Sequence, residues 1–423
     1  MKRDANHPIR VLVVGENVSM RMGGEASLPF YYFKLMRARG IDVHVACHQR
    51  VREEIEETFG AEASERFHFV HDTVLQRWLW RVGRLFPLRI KDLFFGQAIH
   101  ALTQRKIRSV ARRLVREDRI DIVLEPSPIT PKGASFMYRL GVPVVIGPLC
   151  GGLSFPPAFR HMDSIWVRKL VGVGRVFSAL VHRLVPGKRE ADVLLVANCT
   201  AKKALPRGCR GRVIEVVESG VDLTIWKPKP QGVGTDGPLR FVYAGRFVDW
   251  KGVGYLLKAF ARLPREAGVR LDLIGGGDLD QSLRREVAEL NLEQKVYFHG
   301  WLPRTQSAQI MQSCDVFVMP SLRECGGTAI LEAMAMGLPV VATNWAGPSH
   351  YVTESCGILV DPSGEEAFVE GLAGAMLRLA EDPALRKSMA EAGPRHVRTN
   401  YYDWDSKTDR VLDILHQTVA ART

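Results

Sequence analysis

The chain has 423 residues, 46% hydrophobic and 25% charged, which is the composition of a globular protein with material for about two or three domains. It contains no apolar run of about 18 residues, so no transmembrane helix is predicted, and its seven cysteines form no Cys-x-x-Cys pair typical of structural zinc. The formal net charge of +12 points to an anionic partner. The beginning of the chain lacks an apolar signal-peptide core, and we therefore expect a cytoplasmic protein.

The first half of the chain alternates short apolar runs with helical patterns, which predicts a parallel sheet with crossover helices. The first strand is predicted at 9–15, and Gly23-Gly24 then precedes a helical pattern. Further strands are predicted at 41–47, 120–124, 142–146, 193–197 and 213–217. Residues 223–238 are rich in proline and glycine, as in an interdomain linker, so a first domain is predicted at 1–222.

A second alternation predicts a second domain at 239–400. Its strands are predicted at 239–244, 270–274, 296–299, 316–319, 339–342 and 358–360. The tail contains a last amphipathic helical pattern at 403–419. Two doubly wound α/β domains imply a cleft between them, and ligands of such sheets bind at the carboxyl ends of the strands.

The segment 319–341 carries the strongest chemical signal. An apolar run is followed by Glu324 in a loop, and the Gly-Gly-Thr at 326–328 opens a helical pattern that contains Glu332. Glycines at a helix start let a ligand approach free backbone amides, which favour anionic or hydroxyl-rich groups. Two carboxylates at this spacing can accept paired hydrogen bonds from the hydroxyls of a sugar and a ribose. Taken alone, Glu324 is more typical of a helix cap and Glu332 of a solvated helix face; the signal lies in the whole segment.

Arg246 and Lys251 follow the first predicted strand of the second domain, where it meets the next helix. Two cations there can hold a diphosphate and neutralise the charge that builds on it as a leaving group. Basic residues are common in loops, so the pair gains its weight from lying at the same predicted sheet edge as Glu324.

Other glycine turns are less specific. Gly23-Gly24 either offers backbone amides to phosphates or is a plain surface turn, and Asp278 after three glycines is typical of a helix N-cap. The spacing of those glycines does not match a dinucleotide fingerprint. Two Asp-x-Asp pairs, at 278–280 and 403–405, begin helices rather than end strands, so no metal site is predicted.

The segment 71–120 is strongly basic, with twelve Arg or Lys against four Asp or Glu, and aromatic residues lie between the arginines. Such a stretch can bind an anionic membrane surface, or it can be a solvated helix face over a domain core. No helix-turn-helix, zinc-finger or aromatic RNA-binding motif accompanies the charge, so nucleic acid is not predicted as a partner.

Together the motifs resemble those of the retaining glycosyltransferases of family 4 (glycosyl transferases group 1), which have the GT-B fold. That fold consists of two Rossmann-like doubly wound domains that face an interdomain cleft. The matching pieces occur in the expected order over nearly the whole chain: Gly23-Gly24-Glu25, Gly220-Val221-Asp222, Ala244-Gly245-Arg246, Gly275 to Asp278, His299-Gly300, and Glu324 to Glu332 followed by Gly337.

The resemblance implies a role for each motif. Arg246 and Lys251 would bind the donor diphosphate, Glu324 would contact the donor sugar, and together these three are the predicted catalytic residues. Glu332 would hold the ribose hydroxyls. Further donor contacts are implied for Gly23, Gly24, Gly245, Gly326, Gly327, Thr328, Trp301 and Leu302. The tail, residues 401–423, would return to the first domain.

One departure from the family concerns the acceptor. Many relatives carry a histidine after the strand that ends here at Leu124, close to the reacting sugar, whereas this chain has Glu-Pro-Ser-Pro-Ile-Thr-Pro at 125–131. Glu125 and Ser127 are therefore the candidates to hold the acceptor.

The hypothesis is a retaining transferase that moves a sugar from a UDP- or GDP-sugar to a hydroxyl acceptor, a glycan or a lipid-linked glycan, in cell-surface polysaccharide or glycoconjugate synthesis. Such an enzyme needs neither a cofactor nor a metal. Besides the cytoplasm, segment 71–120 points to a peripheral location on the inner face of the cell membrane. The alternatives are a nucleotide-sugar epimerase or phosphorylase of the same fold, or a non-catalytic membrane-associated scaffold. A phosphorylase needs a cofactor lysine site that we do not locate, and the four charged residues of the donor motifs argue against a scaffold.

Overall fold

The computed structural model of the protein describes residues 9–85, 95–163, 180–228 and 237–422. The described residues divide into two compact units, each built on one parallel β-sheet. The first unit comprises those of 1–152, 171–218 and 408–423, and the second those of 153–170 and 219–407. A stretch of the predicted linker and residues 86–94 of the basic segment lie outside the described residues.

The sheet of the first unit has seven strands in the order β3-β2-β1-β4-β5-β6-β7. The strands are β1 (Arg10–Val14), β2 (Asp42–His48), β3 (Phe67–Val70), β4 (Ile122–Glu125), β5 (Val144–Leu149), β6 (Val193–Val196) and β7 (Arg212–Glu215). Val11 of the first strand pairs with Val43 on one side and Ile122 on the other. Most strand residues are buried, because parallel strands carry helices on both faces of their sheet.

Helices of the first unit connect these strands. They span Gly24–Ala38, Arg52–Phe59, Ala61–Arg66, Val74–Gly83, Gln97–Glu117, Gly187–Glu190 and Cys199–Lys203. The helix Val74–Gly83 begins with a capping box, since Thr73 accepts the backbone N–H of Gln76 and the Gln76 side chain accepts that of Thr73.

The sheet of the second unit has six strands in the order β10-β9-β8-β11-β12-β13. They are β8 (Leu239–Ala244), β9 (Val269–Ile274), β10 (Val296–Gly300), β11 (Val316–Met319), β12 (Val340–Thr343) and β13 (Gly357–Val360). The main helices of this unit span Val253–Ala261, Asp280–Glu289, Arg304–Gln312, Thr328–Ala335, Pro348–Tyr351, Glu365–Glu381 and Pro383–Thr399.

The predicted fold class is confirmed, since both sheets have the doubly wound strand order. One strand of the described chain, β3, is missing from the prediction. It is a four-residue strand that pairs with β2 alone, too short to show an alternating pattern. The last helix, Trp404–Ala420, begins in the second unit, and its residues from 408 onward belong to the first. In the described ranges no helix combines the length and the apolar character needed to cross a membrane.

Candidate functional site

The three predicted catalytic residues, Arg246, Lys251 and Glu324, lie at the topological switch point of the second sheet. Strand order reverses there between β8 and β11, so the chains leaving these neighbouring strands diverge and open a crevice at their carboxyl ends. Arg246 and Lys251 follow β8, and Glu324 follows β11. The fold therefore brings together side chains that are far apart in the sequence.

Lys251 and Glu324 form an ion pair in this crevice, with side chains 17% and 12% exposed. Glu324 Oε2 accepts a hydrogen bond from Lys251 Nζ and another, at 3.3 Å, from the Ser321 hydroxyl. Its Oε1 accepts the backbone N–H of Gly327 at 3.3 Å. The carboxylate is thus oriented by three donors and still partly open to solvent.

The backbones of the two loops approach closely beside this pair. Gly252, directly after Lys251, has a left-handed φ of 70°, and a Cβ there would lie 2.2 Å from the carbonyl oxygen of Pro320. The backbone N–H of Leu322 donates to the carbonyl oxygen of Trp250 at 2.8 Å. Only glycine at 252 permits this approach, which fixes Lys251 against the loop that carries Glu324.

The helix Thr328–Ala335 starts at the same place. Gly327, with a left-handed φ of 45°, caps it, and a Cβ there would lie 2.6 Å from the Tyr351 hydroxyl. The first amides of a helix have no intrahelical acceptor and can bind anionic or hydroxyl groups. Gly326 is buried beside Gly327, and the Thr328 hydroxyl donates to the Ser219 hydroxyl at 3.0 Å.

Glu332 lies four residues after Thr328, on the same face of this helix. The residue is half-buried, and burial of its carboxyl raises the pKa of Glu332 to about 7, although the positive charge of Arg304 acts in the opposite direction. The two predicted glutamates therefore differ in kind. Glu324 is oriented by three hydrogen-bond donors, whereas burial raises the pKa of Glu332 to about 7.

Arg246 is exposed, and its guanidinium forms no ion pair with any residue in the described ranges. Its backbone is nevertheless fixed, because its carbonyl oxygen accepts the Tyr243 hydroxyl at 2.9 Å and the N–H of Phe247 donates to the carbonyl oxygen of Gly276 at 2.8 Å. Gly245 precedes it directly after β8 and is half-buried.

Trp301 and Leu302 follow β10. The Trp301 side chain is 67% exposed, and its ring lies 3.1 Å from the position of a Cβ on Gly276. Leu302 is half-buried. The loop carrying these residues thus packs on the glycine turn that also holds the backbone of Phe247.

In the first unit, Gly23 and Gly24 are exposed at the start of the helix Gly24–Ala38. The loop before them is anchored by Glu54, which accepts the backbone N–H of Met20 at 2.7 Å. Glu25, directly after the two glycines, accepts the N–H of Ile129 at 3.1 Å. The glycine turn and the loop after β4 therefore lie side by side.

Glu125 and Ser127, the acceptor candidates, are only 1% and 6% exposed. The Glu125 carboxyl lies beneath its loop, where it accepts the Ser135 hydroxyl, and buried Lys188 donates to the carbonyl oxygen of Thr130. Burial raises the pKa of Glu125 and lowers that of Lys188. This pair supports the loop from inside and does not present a carboxylate on its surface.

Three contributors to the donor crevice are absent from the sequence-based set: Ser219, Ser321 and Tyr351. Ser219 directly precedes the Gly-Val-Asp motif at 220–222, and Ser321 lies between β11 and Glu324. Their proximity to recognised motifs is the signal that could have found the two serines, whereas nothing in the sequence around Tyr351 indicates that its hydroxyl reaches Gly327.

Comparisons with known proteins identify the family of the chain. The family described as Glycosyl transferases group 1 matches residues 226–396. LpsE of Rhizobium meliloti (strain 1021), a lipopolysaccharide core biosynthesis glycosyltransferase, is 36% identical over 172 residues, or 40% of this chain and 48% of LpsE. LpsD of the same organism, described in the same words, is 33% identical over 385 residues, or 86% of this chain and 98% of LpsD.

Among solved structures, HepE of Anabaena in complex with UDP and glucose matches with a TM-score of 0.63 and 17% identity, over 97% of this chain and 100% of HepE. At that identity the likeness shows the fold, which is GT-B. The alignment with LpsD extends over most of both chains, so it covers both units and is not confined to the second sheet. The chain belongs to the group 1 glycosyltransferases.

Proposed function

We propose that this protein is a retaining glycosyltransferase of family 4 that transfers a sugar from a UDP- or GDP-sugar to a hydroxyl acceptor. The observation that carries the proposal is the Lys251–Glu324 ion pair at the switch point of the second sheet, beside a helix start with free amides. A cation, an oriented carboxylate and free amides within one crevice suit a diphosphate joined to a sugar.

The donor is assigned to the crevice group by group. The diphosphate contacts Arg246, Lys251 and the backbone from Gly326 to Thr328, in which the amide of Gly327 already donates to Glu324. The sugar hydroxyls contact Glu324, the ribose hydroxyls contact Glu332, and the base lies near Trp301 and Leu302. Gly23 and Gly24 are exposed in the first unit, and we assign their backbone amides to the donor, as the sequence predicts.

The reaction breaks the bond between the anomeric carbon and the diphosphate oxygen and forms a bond from that carbon to the acceptor oxygen. Negative charge collects on the departing diphosphate, where Arg246 and Lys251 bind it more strongly than in the ground state. The acceptor hydroxyl attacks from the face that the diphosphate leaves, and its proton passes to the leaving phosphate oxygen. The anomeric configuration is thereby retained, and the two cations supply the positive charge without a metal ion.

For the acceptor we propose a glycan or lipid-linked glycan of the cell surface, because LpsD and LpsE are described as lipopolysaccharide core biosynthesis enzymes. Glu125 and Lys188 are both buried and contact the loop 126–135 from within, at Ser135 and Thr130. Ser127, at the carboxyl end of β4, remains the candidate for an acceptor contact.

The helix Val74–Gly83 supports the proposal that the protein binds the inner face of the cell membrane peripherally. Val74, Leu75 and Trp78 are 75%, 51% and 56% exposed on it, beside the exposed Arg77, Arg81 and Arg84. Apolar side chains next to arginines suit the interface of an anionic bilayer.

We expect Trp78→Ser combined with Arg84→Gln to abolish co-sedimentation with phosphatidylglycerol vesicles, whereas Arg105→Gln combined with Arg112→Gln leaves it intact. Equal co-sedimentation of both variants would contradict this proposal.

The function is tested by incubating the purified protein with a panel of UDP- and GDP-sugars and a lipid-linked glycan extract, followed by NMR of the product's anomeric configuration. An α-linked product from an α-linked donor is the expected result. Inversion at the anomeric carbon would refute retention, and interconversion of donors without an acceptor would indicate an epimerase. Turnover that requires inorganic phosphate would indicate a phosphorylase, and no binding of any donor would indicate a scaffold.

A further inference from the structure

A cavity of about 760 Å³ opens in the first unit, apart from Gly23, Gly24, Glu125 and Ser127. Its floor is formed at the carboxyl ends of three neighbouring strands. Glu16 follows β1, His48 ends β2 and Asp72 follows β3. Cavities of about 300–1,000 Å³ hold small ligands, and this edge of a parallel sheet is where they bind.

The floor is a preorganised polar cluster. Glu16, with its side chain 14% exposed, lies 2.6 Å from His100 Nδ1 through Oε2 and accepts Arg50 at 3.1 Å through Oε1. His48 is 2% exposed, with Nε2 3.2 Å from Asp72 and Nδ1 3.0 Å from Arg50 Nε. Burial alone would raise the pKa of Glu16, but the partners His100 and Arg50 outweigh it and hold that pKa below its ordinary value.

The wall of the cavity has a different character. The helix Val74–Gly83 contributes Arg77, Leu79, Trp80 and Arg81, and the helix Gln97–Glu117 contributes Ile99. Trp80 is 50% exposed and lines the cavity, and the guanidinium of Arg84 lies over its ring, 5.1 Å from the centroid. Arg77 and Arg81 are exposed and form no ion pair within the described ranges, whereas Arg50 on the floor is neutralised by Glu16. The cavity thus combines fixed acceptors below with an aromatic face and two uncompensated cations at the side.

We propose that this cavity is a sugar subsite that takes a hydroxylated ring bearing an anionic group, a phosphate or a carboxylate, as part of the acceptor. Glu16 and the imidazole of His100 receive the ring hydroxyls, Trp80 contacts an apolar face of the ring, and Arg77 with Arg81 bind the anionic group. That the bound sugar is part of the acceptor rests on the proposed transferase function. The binding chemistry itself does not depend on it.

The test uses the full-length protein and four probes: glucose, glucose 6-phosphate, glucuronate and inorganic phosphate, with dissociation constants from isothermal titration calorimetry. We expect the two anionic sugars to bind at least about tenfold more tightly than glucose or phosphate. Arg77→Gln with Arg81→Gln should remove that preference, and Glu16→Gln should weaken all three sugars. The affinity for UDP, measured in parallel, should stay unchanged in every variant.

The matched control is Arg105→Gln with Arg112→Gln, which removes the same charge from exposed positions of the helix Gln97–Glu117 that do not line the cavity. It should keep the preference for anionic sugars. A preference that survives in the Arg77/Arg81 variant, or that the control loses equally, would overturn the proposal. So would tighter binding of glycerol 1-phosphate, a soluble lipid headgroup, than of glucose 6-phosphate, because the cavity would then take a lipid headgroup. A protein that binds neither UDP nor GDP yet shows the preference would refute the transferase function and leave this subsite standing.

Discussion

At the scale of single residues, the two glutamates of one segment, Glu324 and Glu332, have different environments in the donor crevice. Glu324 is surrounded by donors, from Lys251, Ser321 and the amide of Gly327, and these hold its carboxyl in one orientation. Burial raises the pKa of Glu332 to about 7, so this carboxyl gains and loses its charge close to neutral pH. Sequence spacing shows that both belong to one segment, and only the fold shows that their surroundings differ.

The raised pKa of Glu332 predicts a pH-dependent stability. The pKa is 4.5 ordinarily and about 7 in the folded protein, so the contribution of Glu332 to the free energy of unfolding is largest below pH 4.5 and is lost as the pH rises through 7. Glu332→Gln should match the wild type near that lower pH and exceed its free energy of unfolding by about 1–3 kcal/mol near pH 8 in urea titrations. The control is Glu289→Gln on an exposed helix position. A gain independent of pH would contradict the environment described for Glu332.

The same residue predicts how nucleotide affinity depends on pH. An ionised Glu332 accepts two ribose hydroxyls, and a protonated one accepts less well. The affinity for UDP should therefore rise as the pH increases through about 7 in the wild type. Glu332→Gln should bind UDP more weakly and without that rise, as measured by calorimetry in buffers on both sides of neutrality. An unchanged pH profile in the variant would place the ribose elsewhere.

At the scale of elements, the crevice depends on the close packing of the loops after β8 and β11. Gly252 makes it possible through its left-handed φ of 70° and the 2.2 Å that separate an added Cβ from the carbonyl oxygen of Pro320. Gly268 is a natural control, since its φ is 57° and an added Cβ meets nothing within 4 Å. The two glycines share the backbone cost of substitution and differ only in the contact.

Gly252→Ala should therefore lose donor turnover by about tenfold or more, because a collision with Pro320 moves Lys251 away from Glu324. Gly268→Ala should cost only about 1–2 kcal/mol of stability through its left-handed backbone and keep full turnover. Turnover of the preferred nucleotide sugar and urea unfolding of both variants are the measurements. Equal activity in the two variants would show that the approach of the loops is unimportant.

A second element-scale feature is a buried charge cluster that joins three strands of the second sheet. Asp272 of β9 is fully buried and lies within 3.0 Å of Arg240 of β8, 2.7 Å of Arg270 and 2.7 Å of His299 of β10. Burial alone would raise the pKa of Asp272, but these hydrogen bonds outweigh it and hold the pKa below 3.8. The stabilisation from this group is therefore present above pH 3.8 and is lost only as the pH falls through the lower, folded pKa.

Asp272→Asn should lower the free energy of unfolding by about 3–5 kcal/mol at neutral pH, because the surrounding cations lose their buried counter-charge. The control is Asp280→Asn, whose side chain is 34% exposed and pairs with Arg284 at 2.7 Å on a helix surface. That change should cost less than about 1 kcal/mol. A similar cost for both variants, measured by chemical unfolding, would show that the cluster contributes no more than a surface pair.

At the scale of the whole molecule, the alternation of apolar runs and helical patterns predicted two doubly wound sheets, and the strand orders confirm them. This succeeds because buried parallel strands are continuous apolar runs that periodicity detects. It fails for β3, a four-residue strand with a single neighbouring strand. The alternation of apolar runs and helical patterns also does not show to which of the two hydrophobic cores a segment belongs. Phe159 lies between strands of the first unit in sequence but packs against Tyr255 and Phe368 in the second.

The candidate site was predictable to a similar degree. The residues of the Glu324–Glu332 segment share a loop and a helix, so their proximity follows from sequence alone. The contact of Lys251 with Glu324 joins positions 73 residues apart and needed the sheet order to be known. The buried environment of Glu125 and the cavity above Glu16 depend on packing from several elements, which no local pattern encodes.

The central claim, that Glu324 acts on the donor sugar at this crevice, is tested most directly by Glu324→Gln. Turnover of the preferred nucleotide sugar and affinity for the free nucleoside diphosphate are measured on the same preparation. The account predicts that turnover falls by about a hundredfold or more, since an oriented carboxylate is lost from the reacting centre, while nucleotide affinity changes by less than about threefold. Equal losses of turnover and affinity would contradict it and show that Glu324 only holds the crevice together.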